Sequence, residues 1–248
     1  MLPTLRLSDS GLEVLLASHL LALDPPTDTF TEALKQSVTT FQKSHCLNPD
    51  GVIGPKTWPA LVYAAANLPL PAADSPRPPD FKQYDSRWAA KMYSFHNDKS
   101  QTMRSSGCGP TAMADIAAHW WDPAVTPYDL ALKALAWGCR TYDSGTAASF
   151  FGKCAAHYGA SDYHSTSSVD EAISCLQSGG LVIANFGPGT KGKSSWQKWT
   201  KGGHYCLLWA YENGVFLIHD PASSSDKRAR GTRAEVQDAR KRFHCFRR

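Results

Sequence analysis

A proline-rich stretch divides this chain of 248 residues and limits how it can fold. Five prolines fall between Asn67 and Asp80. Because proline fixes φ and lacks a backbone donor, such a stretch forms neither a helix nor a central strand and is typical of a semi-rigid tether. The sequence therefore predicts two separately folded domains, residues 1–66 and 81–248, joined by a linker at 67–80. Both lengths are ordinary for domains.

Cys108 is the first candidate for a reactive group, within the segment Ser106-Gly107-Cys108-Gly109-Pro110. The residues that follow, 111–120, have helical periodicity. Pro110 fits the start of a helix, where unpaired amides and the helix dipole favour a thiolate. The flanking glycines leave room for a substrate backbone. We interpret the other six cysteines as inert packing: Cys46, Cys139, Cys154, Cys175, Cys206 and Cys245.

A base and an orienting acid are predicted downstream, at His204 and Asp220. Two apolar runs, 204–211 and 215–220, flank Asn213-Gly214 and predict a β-hairpin. His219 is a rival base, but strand alternation places it on the opposite face from Asp220. The alternatives for these residues are a hydrogen-bonded core histidine and a simple turn.

The register of this hairpin decides whether the acid reaches the base. With a strict two-residue loop, Asp220 would lie opposite Leu207 and face away from His204. With a three-residue loop and Gly214 in a bulge, Asp220 would lie opposite Cys206 and beside His204. A triad of Cys108, His204 and Asp220 therefore requires a bulged hairpin.

These segments together resemble the C39-like cysteine peptidases of the papain-like fold. The resemblance covers about residues 80–225 and rests on the segments 81–88, 106–112, 125–127, 203–205 and 220–221. It implies that Cys108 is the nucleophile, His204 the general base and Asp220 the group that orients the imidazole. It further implies that Gln83 donates to the oxyanion, with the Cys108 amide as a second donor. For Gln83 the alternative is a solvated strand residue.

The N-terminal residues predict a small helical unit. Helices are expected over 10–23 and 31–44, followed by a tight turn at 50–55. The run 33–61 resembles the peptidoglycan-binding domain of type 1, a three-helix cell-wall module, although 28–31 lacks the glycine-bearing turn of that family. The expected core residues are Val38, Phe41, Ile53, Trp58 and Leu61. The fold class is thus α+β: a papain-like domain, with the cysteine-bearing helix on an antiparallel sheet, preceded by a small all-α domain.

The two resemblances imply a two-domain cell-wall hydrolase similar to phage endolysins. A wall-binding module raises the effective concentration of a tethered enzyme at a polymer, so bacterial peptidoglycan is the expected substrate and partner. The bond stays open among a crosslink, a stem-peptide bond and the amide between muramic acid and L-alanine. An autolysin or exported antibacterial effector with the same chemistry, and a non-catalytic wall-binding protein, are the alternatives. We expect a monomer.

Basic charge is concentrated at the C-terminus. Residues 226–248 carry nine Lys or Arg against three acids, a net charge of +6, while the remaining residues sum to −2. Residues 234–246 could form an amphipathic helix with Val236, Ala239, Phe243 and Phe246 along one side. Such a helix could touch an anionic wall polymer or a membrane, but packing on the peptidase domain is the preferred interpretation. No nucleic-acid motif accompanies the charge.

Neither a cofactor nor a metal is expected. No Cys-x-x-Cys or His-Glu-x-x-His spacing occurs, although His157 and His164 lie near Cys154.

Residues 187–194 imitate a phosphate-binding loop by chance. Just after them, Trp196 and Trp199 either line a substrate groove or cover the core.

The expected location is the host cytoplasm, with action on the wall after release. Seven cysteines without framework spacing fit a reducing compartment. The first residues of the chain also lack the pattern of a secretion signal.

Overall fold

The computed structural model describes residues 2–45, 47–65, 77–142 and 145–248. The chain divides into two compact units, Met1–Pro71 and Ala72–Arg248. Residues 67–76 of the predicted linker lie outside the described residues, and the predicted domain boundaries stay a prediction. Within the described part of the chain, no helix has the length and apolar character needed to cross a membrane.

The smaller unit has the predicted helical architecture. Its helices are α1 (Leu12–Leu20), α2 (Glu32–Ser44) and α3 (Thr57–Ala65). Thr31 caps α2 by accepting a hydrogen bond from the Leu34 amide. Four of the five predicted core residues are buried, and Phe41 packs against them half-buried. The buried members of this core are Leu5, Val14, Ala17, Phe30, Leu34, Val38, Ile53, Trp58 and Leu61.

Gln42 fixes the turn that precedes α3. Its Nε2 donates to Asp50 Oδ1 and to the Val52 carbonyl, both at 2.9 Å, and its Oε1 accepts from the Gly51 amide at 2.9 Å. Gly51 has a φ of 69°, which favours glycine. Both ends of this buried amide are therefore satisfied, and the predicted turn is confirmed.

The larger unit is built on a six-stranded antiparallel sheet with the order β3-β8-β4-β5-β6-β7. The strands are β3 (Asp162–Thr166), β4 (Leu181–Phe186), β5 (His204–Glu212), β6 (Val215–His219), β7 (Arg230–Thr232) and β8 (Arg240–Arg247). A separate short pair is formed by β1 (Arg140–Thr141) and β2 (Gly145–Thr146). The helices are α4 (Met103–Ser106), α5 (Cys108–Trp120), α6 (Pro127–Ala136), α7 (Ser149–Tyr158), α8 (Val169–Gln177) and α9 (Arg233–Ala239).

Helices pack on both faces of this sheet. Residues of α5, α6 and α7 form one apolar core with the sheet, and residues of α8 and α9 form a second core on the other face. Successive residues of β8 alternate between the two, because Cys245 packs in the second core and Phe246 in the first. This two-sided burial explains why the central strands are continuous apolar runs.

The C-terminal segment differs from its prediction. The expected amphipathic helix over 234–246 is wrong beyond Ala239, where α9 ends and β8 begins. Phe243 and Phe246 therefore lie in different cores instead of on one helical side. Pairing with β3 on one side and β4 on the other outweighs the helical periodicity of the apolar residues. The segment packs within the larger unit, as preferred, but as a strand between β3 and β4.

Candidate active site

Cys108 is the first residue of α5, one turn earlier than the predicted helix. The glycines around it are required by packing. A Cβ on Gly109 would lie 2.7 Å from the Thr146 side chain, and one on Gly107 would lie 2.5 Å from the Met103 carbonyl oxygen. Glycine at both positions thus lets α5 begin close to α4 and β2.

The surroundings of Cys108 favour its thiolate. Burial opposes the charged form, but a hydrogen bond with His204, its positive charge, and the backbone of Tyr205 and Gly109 lower the pKa of the Cys108 thiol below its ordinary value. Cys108 is half-buried, whereas the other cysteines of the described residues are buried. They are Cys139, Cys154, Cys175, Cys206 and Cys245, and Cys46 lies outside the described residues.

His204 begins β5 and contacts both other members of the predicted triad. Its Nε2 lies 2.7 Å from Oδ1 of Asp220. Burial disfavours the charged ring, but Cys206 and the hydrogen bonds with Asp220 and Cys108 raise the pKa of His204 well above its ordinary value. With Nε2 on Asp220, Nδ1 is the ring nitrogen left for Cys108. The three predicted side chains are therefore together in one buried cluster.

The hairpin contains the required extra residue, but not in the turn. The turn has two residues, Asn213 and Gly214, with φ values of 50° and 81°. The bulge lies at Trp209, between the pairs Leu208↔Ile218 and Ala210↔Leu217. On the side of the bulge farther from the turn, Leu207 pairs with His219, and this register puts Asp220 opposite Cys206. The predicted three-residue loop is wrong, while the pairing that brings Asp220 to His204 is present.

Asp220 has a cationic partner that the sequence did not reveal. Its Oδ1 also accepts from the Ala222 amide at 2.8 Å, and its Oδ2 lies 2.6 Å from Nε of Arg228. Burial raises the pKa of Asp220, but the bond to His204, the charges of His204 and Arg228 and the Ala222 amide lower it below its ordinary value. Arg228 follows in a turn-rich segment, where one arginine among several carries no distinguishing signal.

Gln83 is buried between the two ends of the cluster. Its Nε2 donates to the Arg104 carbonyl, just before α5, at 2.5 Å. Its backbone amide donates to the carbonyl of Pro221, next to Asp220, at 2.9 Å. Its Oε1 is buried and has no hydrogen-bond partner among the described residues. The alternative of a solvated strand residue is wrong, because the side chain is buried and outside any strand.

His219 faces away from the triad, as alternation predicts. Its Nε2 accepts from Arg77 Nε at 2.8 Å and its Nδ1 donates to the Pro79 carbonyl at 3.1 Å, so the ring is neutral. Burial lowers the pKa of His219 to about 4. Its neighbour across the core is Asp115, whose Oδ2 lies 3.9 Å from Nδ1.

Two groups of side chains in the described residues bring metal-ligating atoms within 4.8 Å of one another. One is His204, Cys206 and Asp220, which contains two members of the predicted triad. The other is Asp80, Asp115 and His219. In this group Arg77 donates to Nε2 of His219, so the ring proton is on Nδ1, the nitrogen that faces Asp115 and that a metal would need. Sequence spacing reveals neither group, since each contains at least one member from a distant segment of the chain.

The two tryptophans near the site have different environments. Trp199 is 2% exposed and stacks on Phe186 with ring centroids 4.3 Å apart, so it covers the core. Trp196 is 39% exposed, and its role in a groove stays a prediction.

Residues 87–245, more than half of the chain, match the sequence profile of the Peptidase_C39 like family. The chain belongs to this family. Residues 12–61 match a second family, described as "Putative peptidoglycan binding domain". The predicted pairing of an N-terminal peptidoglycan-binding domain with a C39-like peptidase domain, and the α+β fold class, are confirmed. Together the two domains support a cell-wall peptidase.

Two solved structures are similar to this C39-like chain. One is a putative C39-like peptidase from Bacillus anthracis, with 14% identity and a TM-score of 0.42 over 58% of this chain and 90% of that chain. The other is the peptidase domain of Streptococcus ComA, a bi-functional ABC transporter involved in a quorum sensing pathway. It has 19% identity and a TM-score of 0.43 over 58% of this chain and 93% of that chain. No curated protein matches the chain.

Proposed function

We propose that this protein is an endolysin-like peptidoglycan hydrolase that cleaves an amide bond in the peptide part of the bacterial wall. The observation that carries the proposal is the chain of contacts from Cys108 through His204 to Asp220, in a protein that also has a peptidoglycan-binding domain. A lowered thiol pKa beside a raised imidazole pKa is what a thiolate–imidazolium pair requires.

In the proposed reaction the Cys108 thiolate attacks the carbonyl carbon of the amide. His204, protonated and oriented by Asp220, gives its proton to the leaving amine, and a thioester remains on Cys108. Water then attacks the thioester with His204 as base, which releases the acid and restores the thiol. The Cys108 amide at the start of α5 and the Gln83 side chain are the proposed donors to the oxyanion.

The peptidoglycan-binding domain supports peptidoglycan as the proposed substrate. A separate wall-binding unit concentrates the peptidase at its bonds, so the catalytic cleft needs little affinity of its own. We propose a phage lysin released from the host cytoplasm; a bacterial autolysin or exported effector would use the same chemistry. Anionic wall polymers are a further proposed contact for exposed cations such as Lys241 and Arg242.

Digestion of purified peptidoglycan tests the proposal. We expect the wild type to release soluble fragments with new amino ends, Cys108→Ala to release none, and Cys139→Ala, a buried cysteine outside the cluster, to behave as the wild type. Mass spectrometry of the fragments then identifies the bond. Equal release by Cys108→Ala would exclude the thiol mechanism, and new reducing ends would indicate glycan cleavage. Wall binding without release would favour a non-catalytic binding protein.

A further inference from the structure

Arg228 occupies the side of Asp220 that His204 does not. Asp220 is 2% exposed, its Oδ1 is used by His204 and the Ala222 amide, and its Oδ2 lies 2.6 Å from Arg228 Nε. The contact is a close ion pair rather than an aligned hydrogen bond, since the N–H does not point at the oxygen. A buried carboxylate needs such a partner to stay ionised.

Arg228 forms a reciprocal pair of hydrogen bonds with Trp199, one through its guanidinium and one through its backbone carbonyl. Arg228 Nη2 donates to the Trp199 carbonyl at 2.5 Å, and Trp199 Nε1 donates to the Arg228 carbonyl at 3.0 Å. Trp199 is stacked on Phe186. A Cβ on Gly231 would lie 2.8 Å from the Trp199 ring, so the indole fits closely against β7. Arg228 is therefore held by hydrogen bonds with a buried tryptophan, although its side chain is 27% exposed.

We propose that Arg228 is a positioning residue of the active site. Its guanidinium holds the Asp220 carboxylate so that Oδ1 stays on His204, and its charge sets how tightly the buried cluster binds protons. This inference rests on the proposed function in one respect, the role of Cys108 as nucleophile. A cation beside the cluster disfavours protonation of every member, so the thiolate persists to lower pH.

Other charged groups around the cluster come from three elements. Cys108 approaches from α5 and Cys206 from β5, where burial raises the pKa of the Cys206 thiol to about 11. From the segment before Gln83, Lys82 Nζ bonds to the Asp220 carbonyl at 2.9 Å and to the Asp80 carboxylate at 2.6 Å. The charge of Lys82 is thus compensated, which leaves Arg228 as the cation that faces the Asp220 carboxylate together with His204 among the described residues.

Alkylation of Cys108 by iodoacetamide tests the proposal without any substrate. The Cys108 thiolate displaces iodide and forms a carbon–sulfur bond, so the rate, followed by mass spectrometry of the Cys108 peptide from pH 4 to 9, reports the thiolate. Removing the cation raises the proton affinity of the Cys108 thiolate. The acid limb of the pH–rate profile for alkylation is therefore expected to move about 0.5–1 pH unit upward in Arg228→Gln. Arg228→Lys keeps the charge and is expected to recover at least half of that shift.

Two further variants separate this role from a structural one. Arg230→Gln removes an exposed cation two residues away and is expected to leave the acid limb unchanged. Trp199→Phe removes the indole donor while keeping a ring on Phe186, and it is expected to move the limb part of the way in the same direction. The Trp199→Phe profile also tests the positioning role of Arg228 if Arg228→Gln does not fold.

An acid limb that coincides with the wild type in both Arg228→Gln and Trp199→Phe would overturn the proposal. An equal shift in Arg230→Gln would also overturn it, because any surface cation would then have the same effect. If the wild type released nothing from peptidoglycan, the proposed function would fail, yet the alkylation profile would still decide the role of Arg228. A wild-type Cys108 with the profile of an ordinary thiol would contradict both.

Discussion

Asp115 is a fully buried acid on the helix that begins at Cys108. Its Oδ1 accepts from the Phe81 amide at 2.9 Å, and its Oδ2 has no hydrogen-bond partner in the part of the chain that the structure describes. Burial raises the pKa of Asp115 well above its ordinary value, although the Phe81 amide acts in the opposite direction. The folded protein therefore keeps a proton on this carboxyl at pH values where the unfolded chain has lost it.

The substitution Asp115→Asn should therefore stabilise the protein increasingly as the pH rises. Above an unfolded-state pKa of about 3.9 the folded wild type binds one more proton than the unfolded chain. Its stability thus falls with rising pH by at most about 1.4 kcal/mol per pH unit until the folded-state pKa is reached. The variant has no such proton, and its side-chain oxygen still accepts from Phe81. Urea unfolding at pH 4.5, 6 and 7.5 measures the difference, with Asp226→Asn, an exposed acid, as control. Parallel stability curves for wild type and Asp115→Asn would contradict this account.

At the scale of elements, one carboxylate anchors the loop that leads into His204. Asp238 of α9 accepts from the Thr190 amide and hydroxyl, both at 2.7 Å, from Lys193 Nζ at 2.9 Å and from the Ser195 hydroxyl at 2.6 Å. These hydrogen bonds, that of Ser195 first, lower the pKa of Asp238. Residues 187–194, which imitate a phosphate-binding loop, are thus held by a carboxylate. The negative charge of this carboxylate would repel a phosphate ligand.

Asp238→Ala should open this loop to trypsin. Without the four acceptor contacts, local opening becomes more frequent, and we expect cleavage after Lys191 and Lys193 to be about tenfold faster or more. Timed digestion with mass spectrometry measures it. Asp170→Ala is the control, because it removes an exposed ion pair between α8 and Arg233 of α9 but no contact with the loop. This variant should be digested at the rate of the wild type. Unchanged cleavage in Asp238→Ala would show that other contacts hold the loop.

The elements also show how far sequence reasoning reaches. Glycine and proline chemistry and strand alternation single out Cys108, His204 and Asp220 because these signals are local, whereas the roles of the three residues come from the resemblance to the C39-like peptidases. The bulge position at Trp209 was missed, since either turn or strand can absorb an extra residue. Strand β8 was missed because its apolar spacing also fits a helix, and only two neighbouring strands decide between them. Arg228 was missed because its partners, Asp220 and Trp199, are brought to it by the fold.

At the scale of the whole molecule, each unit has its own apolar core, and residues 77–83 belong to the larger unit. Along this segment Arg77 donates to His219, Lys82 to the Asp220 carbonyl and Gln83 to the Pro221 carbonyl. These contacts tie the segment to the end of β6, where Asp220 follows. A peptidase unit cut after Pro71 keeps all of them, whereas one that begins at residue 84 has none.

Truncation should therefore separate wall targeting from catalysis. Residues 72–248 should cleave soluble stem peptides as fast as the full chain, but intact peptidoglycan at low concentration about 10–100-fold more slowly, because the effective concentration supplied by the binding domain is lost. Residues 84–248 should lose activity on both substrates, since Asp220 and the start of α5 lose the contacts of the segment before them. Initial rates on both substrates measure this, with circular dichroism to establish folding. Equal rates of 72–248 and the full chain on intact wall would remove the targeting role of the N-terminal domain. A folded 84–248 with full activity on soluble peptides would show that Gln83 and the segment before it do not shape the site.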